Sequence, residues 1–244
     1  MEKAFALTLF AGFWLAVVAF VPAAAAAESG KVLGGEISAT VGFFSDYVFR
    51  GVSQTGEDPA IQGSIDYVHG SGFYLGAWGS NVDFGDDAQT EFDFYGGFSG
   101  HAQGFDYDVG AIYYAYPGTV AALDYWEAAA SLGHALGPAT LTVGVNYSPN
   151  NFGETGDAVF VYADIEAPVT LKGPVGLTVS GQIGRQTISN EAKFGLPDYV
   201  TWNFGVTLAV WGIDVDVRYH DTDLGRTCAA GCDARVVGSV SRSF

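Results

Sequence analysis

Strict alternation of apolar and charged side chains is the feature that most limits how this sequence can fold. In residues 211–223, WGIDVDVRYHDTD, one parity is aliphatic, with Ile213, Val215 and Val217. The other parity carries Asp214, Asp216, Arg218 and His220. Successive side chains of a β-strand point to opposite faces, so this segment predicts a strand with one apolar and one charged face. Two kinds of protein present such faces: a water-soluble sheet and a barrel in a membrane.

Similar segments recur along the chain, separated by turn signals. The twelve predicted strands cover residues 35–49, 58–69, 72–84, 89–101, 104–116, 122–135, 138–149, 157–168, 174–186, 197–210, 212–223 and 233–244. Every second connection is a tight turn, at 69–72, 101–104, 135–138, 170–174 and 210–212, and the others are longer and more acidic. Outer-membrane barrels alternate short turns and long loops in this way.

The parity of charged residues distinguishes the two kinds of protein. An acid or base facing hydrocarbon at the bilayer midplane costs about 2–4 kcal/mol, so mid-strand charges of a membrane barrel must face inward. Nearly every predicted strand obeys this rule, although 72–84 shows no clear face. A soluble sandwich would carry many Lys and Glu on its outer row, and Lys is nearly absent from these strands. We therefore predict an all-β fold: a transmembrane antiparallel up-and-down β-barrel of about twelve strands.

Aromatic residues near strand ends fit the same fold. We interpret Tyr47, Tyr116, Trp126, Tyr199 and Phe244 as interfacial girdles, which outer-membrane barrels carry at both membrane surfaces. The final strand ends in Phe244 on the apolar parity. Resemblance to outer-membrane proteins as a class implies that this residue is an assembly signal for the barrel-assembly machinery.

The N-terminus indicates export. A long apolar run after Lys3 leads into small residues at Ala25 and Ala27, which predicts a signal peptide over 1–27 and a barrel domain over 28–244. A retained membrane anchor is the alternative, because the run is long enough to span a bilayer. The net charge of −17 makes nucleic acid a poor partner. We expect a bacterial outer-membrane location, with lipid and lipopolysaccharide as surroundings.

Two cysteines, Cys228 and Cys232, lie in the last long loop, and an exported chain usually pairs such residues. We predict a local disulfide. The alternative, a metal site, needs more nitrogen or sulfur ligands than this stretch supplies. No metal or cofactor is expected. Acidic residues at Asp83, Asp86, Asp87 and Glu91 leave divalent-cation binding open, although such a run is usually a solvated face.

Residues 44–85 carry a specific series of short motifs. They are SDY at 45–47, RGVSQ at 50–54, PAIQG at 59–63 and GAWGSNV at 76–82. This stretch resembles the opening of the TorF family of porin-like outer-membrane proteins. The resemblance covers about forty residues in detail, and it implies a porin-like barrel without catalytic residues.

The inward row of a barrel defines its lumen. On it we place three arginines and eleven acids: Arg50, Arg218 and Arg235, with Asp46, Asp66, Glu91, Asp93, Asp106, Asp108, Glu127, Asp164, Glu166, Asp214 and Asp216. Such an excess of acids predicts a cation-preferring pore. Arg50 has two interpretations: it contributes to a constriction with Asp46 or Asp66, or it anchors its loop through a bidentate carboxylate contact, which we favour.

The histidines argue against an enzyme. His69, His101 and His134 fall at separate tight turns, and only His220 lies near acids, at a solvated loop mouth. The predicted function is passive diffusion of small hydrophilic solutes, and the alternative is a non-conducting structural or surface-binding barrel. Twelve strands predict a narrow or partly plugged pore. The least polar loops, 116–123 and 185–198, are the predicted plug candidates.

Overall fold

The computed structural model describes residues 31–244 except 86, 172–174, 194–196, 226–227 and 229–230. Twelve strands form the wall: β1 (Gly35–Phe44), β2 (Ala60–His69), β3 (Phe73–Asn81), β4 (Thr90–Ala102), β5 (Phe105–Ala115), β6 (Tyr125–Leu136), β7 (Ala139–Ser148), β8 (Ala158–Val169), β9 (Gly176–Ile188), β10 (Tyr199–Val210), β11 (Ile213–Thr222) and β12 (Arg235–Ser243). Each strand pairs antiparallel with the next, and β12 closes the barrel on β1, with Ser239 opposite Phe44. The predicted twelve-stranded barrel is confirmed. The predicted signal peptide lies outside the described residues.

A few short elements accompany the wall. Lys31–Val32 pairs with the start of β1, and Val48–Phe49 pairs with Val52–Ser53 in a small separate hairpin. Two single-turn 3₁₀ helices cover Phe152–Glu154 and Glu191–Lys193. Among the described residues, no helix is long and apolar enough to cross a bilayer.

Tight turns gather at one end of the barrel, which we call the turn end. Two of them have two residues in left-handed conformation: Gln103 and Gly104 at φ 55° and 86°, and Trp211 and Gly212 at φ 52° and 75°. Two successive left-handed residues make hairpins whose twist matches that of the strands. Since the short connections lie at the turn end, the long loops extend from the opposite end, the loop end.

The outer surface of the wall is apolar, and we call it the apolar belt. Residues on the predicted outward parity are exposed: Phe204 at 60%, Val217 at 55% and Val236 at 65%. In the segment 211–223, Asp216 and Arg218 face inward and are 8% and 2% exposed. The predicted assignment of faces is confirmed. A row of exposed aliphatic and aromatic side chains is stable in hydrocarbon and unfavourable in water.

Strand β3, whose faces the sequence did not assign, follows the same rule. Tyr74 and Trp78 point inward and are 6% and 3% exposed, while Phe73 and Leu75 face outward. Large inward rings find space over glycines of neighbouring strands. A Cβ atom on Gly144 would overlap the ring of Tyr162, and one on Gly184 would overlap the ring of Phe160. Glycine at these positions therefore lets aromatic rings lie against the inner wall.

Two predictions about the loop end are wrong. Strand β1 ends at Phe44 and not at 49, because the chain turns inward after Ser45, whose N–H donates to Gly238 O at 2.9 Å. Three predicted girdle residues, Tyr47, Tyr116 and Tyr199, are 1%, 4% and 5% exposed and lie inside the barrel. Trp126 and Phe244, at 46% and 58%, do face outward. Inward aromatic residues at strand ends have the same sequence pattern as outward ones, so sequence did not separate them.

Candidate functional site: the lumen and its inward loop

The segment between β1 and β2, residues 45–59, enters the lumen, and we call it the inward loop. Its base is organised by Asp46. The Asp46 carboxylate accepts hydrogen bonds from the Ser53 hydroxyl at 2.7 Å and the Thr55 hydroxyl at 2.9 Å. On its other oxygen it accepts from Arg235 Nη1 on β12 at 2.8 Å. A short turn rich in hydroxyl groups thus replaces the continued strand.

Arg50 at the tip of the inward loop reaches across to the opposite wall. Its Nη1 and Nη2 donate to the two carboxylate oxygens of Glu127 on β6 at 2.9 and 2.7 Å. Nη1 also donates to Gln186 Oε1 on β9 at 2.9 Å. The guanidinium carbon lies 4.4 Å from the ring centroid of Phe160 on β8 and 4.7 Å from that of Phe49. This is a bidentate, charge-assisted contact with two aromatic faces.

The environment keeps Arg50 cationic. Burial alone would lower the pKa of Arg50, but the charge of the Glu127 carboxylate and its hydrogen bond raise the pKa above its ordinary value. Two wall residues hold Glu127 in place: the Tyr114 hydroxyl donates to it at 3.2 Å and Asn146 Nδ2 at 3.1 Å. Glu127 is 1% exposed, so the pair lies in a buried part of the lumen, where charge interactions are stronger than in bulk water.

Backbone contacts fix the rest of the inward loop. Arg50 and Gly51 are left-handed, at φ 48° and 84°, and a Cβ atom on Gly51 would overlap Thr201 of β10 and Thr222 of β11. The Ser53 N–H donates to Gly231 O at 2.8 Å, and the Asp83 N–H donates to Gln54 O at 2.8 Å. The loop is therefore held by the wall and by two neighbouring loops.

Around the Arg50 contact and towards the loop end, aromatic side chains fill the lumen. Tyr114 and Tyr125 stack at 4.3 Å between centroids, and Tyr47 meets Trp78 edge-on at 5.4 Å. Inward side chains at this level are less than 2% exposed: Tyr47, Glu91, Asp93, Tyr114 and Glu127. Groups that line an open aqueous pore are wetted, so this burial shows that protein fills the lumen here.

Two cavities beside the inward loop are correspondingly small. One, of about 20 Å³, is lined by Arg50, Asp108 and Tyr162 among others, and a second, of about 30 Å³, by Asp46, Asp216 and His220 among others. Each has room for one or two water molecules. The lumen is thus closed at the level of the inward loop.

The three arginines of the predicted lumen row are all engaged with acids. Arg50 pairs with Glu127 and with neither Asp46 nor Asp66, the two partners considered for a constriction. Arg235 pairs with Asp46 and, at 3.2 Å, with Glu57. Arg218 contacts Asp216 at 3.2 Å and also donates to Ser180 and Asn203.

The predicted acids of the lumen row have mixed surroundings. Asp66 accepts a hydrogen bond from the Tyr95 hydroxyl and Asp108 one from the Tyr74 hydroxyl at 2.9 Å. Asp93 is fully buried, beside the Glu91 carboxyl group on the same face of β4. Asp214 lies near the turn end and is half-buried. Asp66, Asp108 and Asp214 lie at separate positions along the wall, whereas Asp93 lies near Glu91 and Glu127 at the level of the inward loop.

The other singled-out residues are placed as follows. His220 is 8% exposed and lies inside the barrel, so the solvated mouth expected for it is wrong. Cys228 and Cys232 form a disulfide with Cα atoms 6.1 Å apart. The backbone of Phe244 pairs with Ala39 on β1. Over the described residues, no group of three or more His, Cys, Asp or Glu side chains is arranged to hold a metal ion.

The acidic residues considered for divalent cations do not form one surface cluster. Asp83 accepts from the Gly85 N–H and Asp87 from the Val120 N–H, both at 2.9 Å. Glu91 faces the lumen, where the Tyr47 hydroxyl donates to it at 3.3 Å. Asp86 lies outside the described residues.

The inward loop is neither of the predicted plug candidates, 116–123 and 185–198. The first candidate does contribute Tyr116 and Leu123 to the buried cluster at the loop end, and residues 194–196 of the second lie outside the described residues. Low polarity suggested those loops, whereas the inward loop is polar and its charges are neutralised by partners on the wall. Glu127 belonged to the predicted lumen row, whereas Gln186 and Phe160 were not predicted as partners of Arg50. The inward parity of Phe160 on β8 and of Gln186 on β9 was the only sequence signal that they face the lumen.

Comparison with solved structures identifies the same architecture elsewhere. The KdgM porin has a TM-score of 0.56 with 10% identity, covering 85% of this chain and 99% of that chain. KdgM in complex with disordered oligogalacturonate gives a TM-score of 0.56 with 8% identity, covering 85% and 98%. The NanC porin gives 0.53 with 8% identity, covering 85% and 98%. These likenesses concern the fold.

The apolar belt, together with this shared fold, makes the chain a multi-pass β-barrel of the bacterial outer membrane. No curated protein sequence matches it. A family profile described as "Bacterial protein of unknown function (Gcw_chp)" matches residues 24–244. Because that match spans most of the sequence, the chain belongs to the Gcw_chp family.

Proposed function

We propose that the protein is a narrow, cation-preferring outer-membrane channel through which small hydrophilic solutes diffuse passively. The observation that carries this proposal is the polarity of the wall. The barrel is closed and apolar outside, whereas its inward rows carry acids, hydroxyl groups and glycines between aromatic side chains. A barrel with only a structural role has no need of a charged interior, because buried charges are costly unless they are paired.

The inward loop supplies the constriction. It fills the lumen in the closed state, so solute passage requires the loop to move and the Arg50–Glu127 contact to break. Separating a buried ion pair costs about 3–5 kcal/mol when one partner is left alone, which would keep most channels closed at any moment. Small conductance with brief openings is the expected behaviour.

The charge of the lumen supports a preference for cations. Each of the three lumen arginines already has an acidic partner, and several further acids lie towards the turn end, among them Asp106, Asp108 and Asp214. Fields in a narrow low-dielectric pore attract counter-ions and are only partly screened by salt. Oligogalacturonate, the ligand of the KdgM complex, is a polyanion. We do not expect a polyanion to be favoured in this acidic lumen.

Planar-bilayer recording of the purified protein tests the channel and its selectivity. Under a KCl gradient, the zero-current potential should indicate preferential K⁺ passage. Asp214→Asn should reduce the preference more than Asp216→Asn, because Asp216 is already held by Arg218 and by the Thr207 hydroxyl at 2.7 Å. Anion selectivity would remove the cation-channel proposal.

A second candidate is a non-conducting structural or surface-binding barrel. The observation that favours it is the tight packing of the inward loop, with Tyr47 and Thr55 each 1% exposed. Absence of current from both the wild type and an Arg50→Ala variant that is folded in the bilayer would support this candidate over the channel.

Other expectations remain part of the proposal. We propose that residues 1–27 are a signal peptide and that the short motifs in 44–85 reflect TorF-type ancestry. We also propose that Phe244 is recognised by the barrel-assembly machinery and that the loop end contacts lipopolysaccharide. The exposed position of Phe244, with Arg242 5.0 Å from its ring centroid, supports its availability to a partner.

A further inference from the structure

We propose that the wall of the lumen contains a receptor site for the guanidinium group, and that Arg50 occupies this site as a tethered ligand. The inference rests on the proposed channel function, because it names the class of solute that the channel recognises. That class is small solutes with a guanidinium group. When the inward loop moves out, the site becomes available to such a solute.

The site on the wall is made by three strands and does not include the inward loop. Glu127 of β6 supplies two carboxylate oxygens, Gln186 of β9 an amide oxygen, and Phe160 of β8 an aromatic face. A guanidinium group is planar, has five N–H donors in a fixed fork and stacks on aromatic rings. The N–H donors are matched by the oxygens of Glu127 and Gln186, and the planar face is matched by the ring of Phe160. An ammonium ion or K⁺ would be attracted by the charge of Glu127. It would not make the paired hydrogen bonds to the two Glu127 oxygens, and it has no planar group to stack on Phe160.

Other wall residues hold the site in shape. Tyr114 and Asn146 both donate to Glu127 Oε2, so the carboxylate is fixed before any ligand arrives. Fixed partners reduce the ordering cost of binding. When Arg50 leaves, Glu127 loses its positive partner while it is still surrounded by the wall. A buried carboxylate without a counter-charge is unfavourable, so the empty site favours capture of a cation of the same shape.

Tethering explains why the site is filled by Arg50 in the closed state. A group on a short linker acts at an effective concentration on the order of millimolar, so dilute solutes compete poorly with it. Removing the Arg50 side chain should therefore expose the site to free ligands. Closure by Arg50 and binding of a solute are therefore alternatives at one position.

Chemical rescue tests this inference on the full-length protein. In planar bilayers, Arg50→Ala should pass more current than the wild type. Guanidinium chloride at concentrations on the order of millimolar should lower that current about twofold or more, because it refills the site. Tetramethylammonium chloride supplies charge without N–H donors, and urea supplies N–H donors without charge. Neither should have this effect at the same concentration.

A second readout does not depend on current. Thermal unfolding of the detergent-solubilised barrel is followed by heat-modifiable gel mobility. For Arg50→Ala, guanidinium should raise the midpoint temperature of unfolding and tetramethylammonium should not. The double variant Arg50→Ala with Glu127→Gln should lose both responses. If Arg50→Ala does not fold, Arg50→Gln is used, since it keeps the first three side-chain carbons and an uncharged amide but cannot reach as far as the guanidinium group.

The outcomes separate the two proposals. Current in Arg50→Ala with equal responses to guanidinium and tetramethylammonium would overturn the receptor site and leave the channel standing. Absence of current in every folded variant would overturn the channel. The thermal shift would then decide whether the guanidinium site exists, and equal shifts with all three additives would reject it.

Discussion

Replacing Val217 by Arg should destabilise the folded barrel strongly, because this side chain faces hydrocarbon near mid-depth. Val217 is 55% exposed on the apolar belt. It lies four residues from Ile213 and five from Thr222, the ends of β11. At about 3.3 Å per residue and a tilt of about 45°, these distances correspond to depths of roughly 9 and 12 Å. Its cross-strand partners, Val206 and Gly238, offer no carboxylate to pair with the new charge.

The expected cost is about 2–4 kcal/mol, the value for Arg at the bilayer midplane. This corresponds to a folding equilibrium lower by about 30- to 700-fold. Urea titration of the protein in lipid vesicles, followed by heat-modifiable mobility on gels, measures the change directly. Impaired assembly should also be visible as less folded protein at zero urea.

Two control variants carry the same charge at the turn end, one on the outer face and one on the inner face. Ile213→Arg places the same charge on the same face of the same strand at its turn end, where the cost falls to about 0–1 kcal/mol. Ser241→Arg places it on the inner face, where the Cα partner is Asp214. That change should be nearly neutral. Equal destabilisation by Val217→Arg and Ser241→Arg would refute the assignment of faces, and equal effects of Val217→Arg and Ile213→Arg would refute the membrane depth.

Two further predictions concern the loop end. Reduction of Cys228–Cys232 should leave heat-modifiable mobility unchanged, because the bridge closes a loop of only a few residues and contributes modestly; unfolding on reduction alone would contradict this. Gly51→Ala should weaken the seat of the inward loop and increase proteolysis within 45–59, because its Cβ atom would overlap Thr201 and Thr222. Gly85→Ala is the control, since Gly85 has a similar φ of 76° with nothing within 4 Å of a Cβ atom, and equal proteolysis of both variants would count against the seat.

The wall of the barrel could be predicted from sequence because two solvents act on alternate residues. Hydrocarbon outside excludes mid-strand charge, so Val215 and Val217 differ from Asp216 and Arg218 in a way that a single chain displays. The tight turns at the turn end could also be predicted from the sequence. Short hairpins need left-handed residues, and Gly104 and Gly212 stand where such turns occur.

The loop end was harder to predict, because neither lipid nor a regular repeat constrains it. Tyr47 and Tyr116 fill the lumen, yet an aromatic residue at a strand end is also what a girdle requires. The partner of Arg50 could not be identified either. Parity places Glu127 inside the barrel but does not give its height relative to Arg50, which depends on the stagger between strands. The sequence could therefore predict that Arg50 anchors its loop, but it could not identify Glu127 as the residue that Arg50 binds.

The span of the inward loop's contacts has a consequence for the order of folding. Arg50 meets residues 77 and 136 positions later in the chain, and Asp46 meets one 189 positions later. Contacts between such distant residues form late, because the intervening chain must first be ordered. The loop that follows the first strand can dock fully only after β12 has closed on β1. The Asp46–Arg235 contact therefore marks completion of the barrel, and a chain arrested before closure would lack this anchor at the base of its first loop.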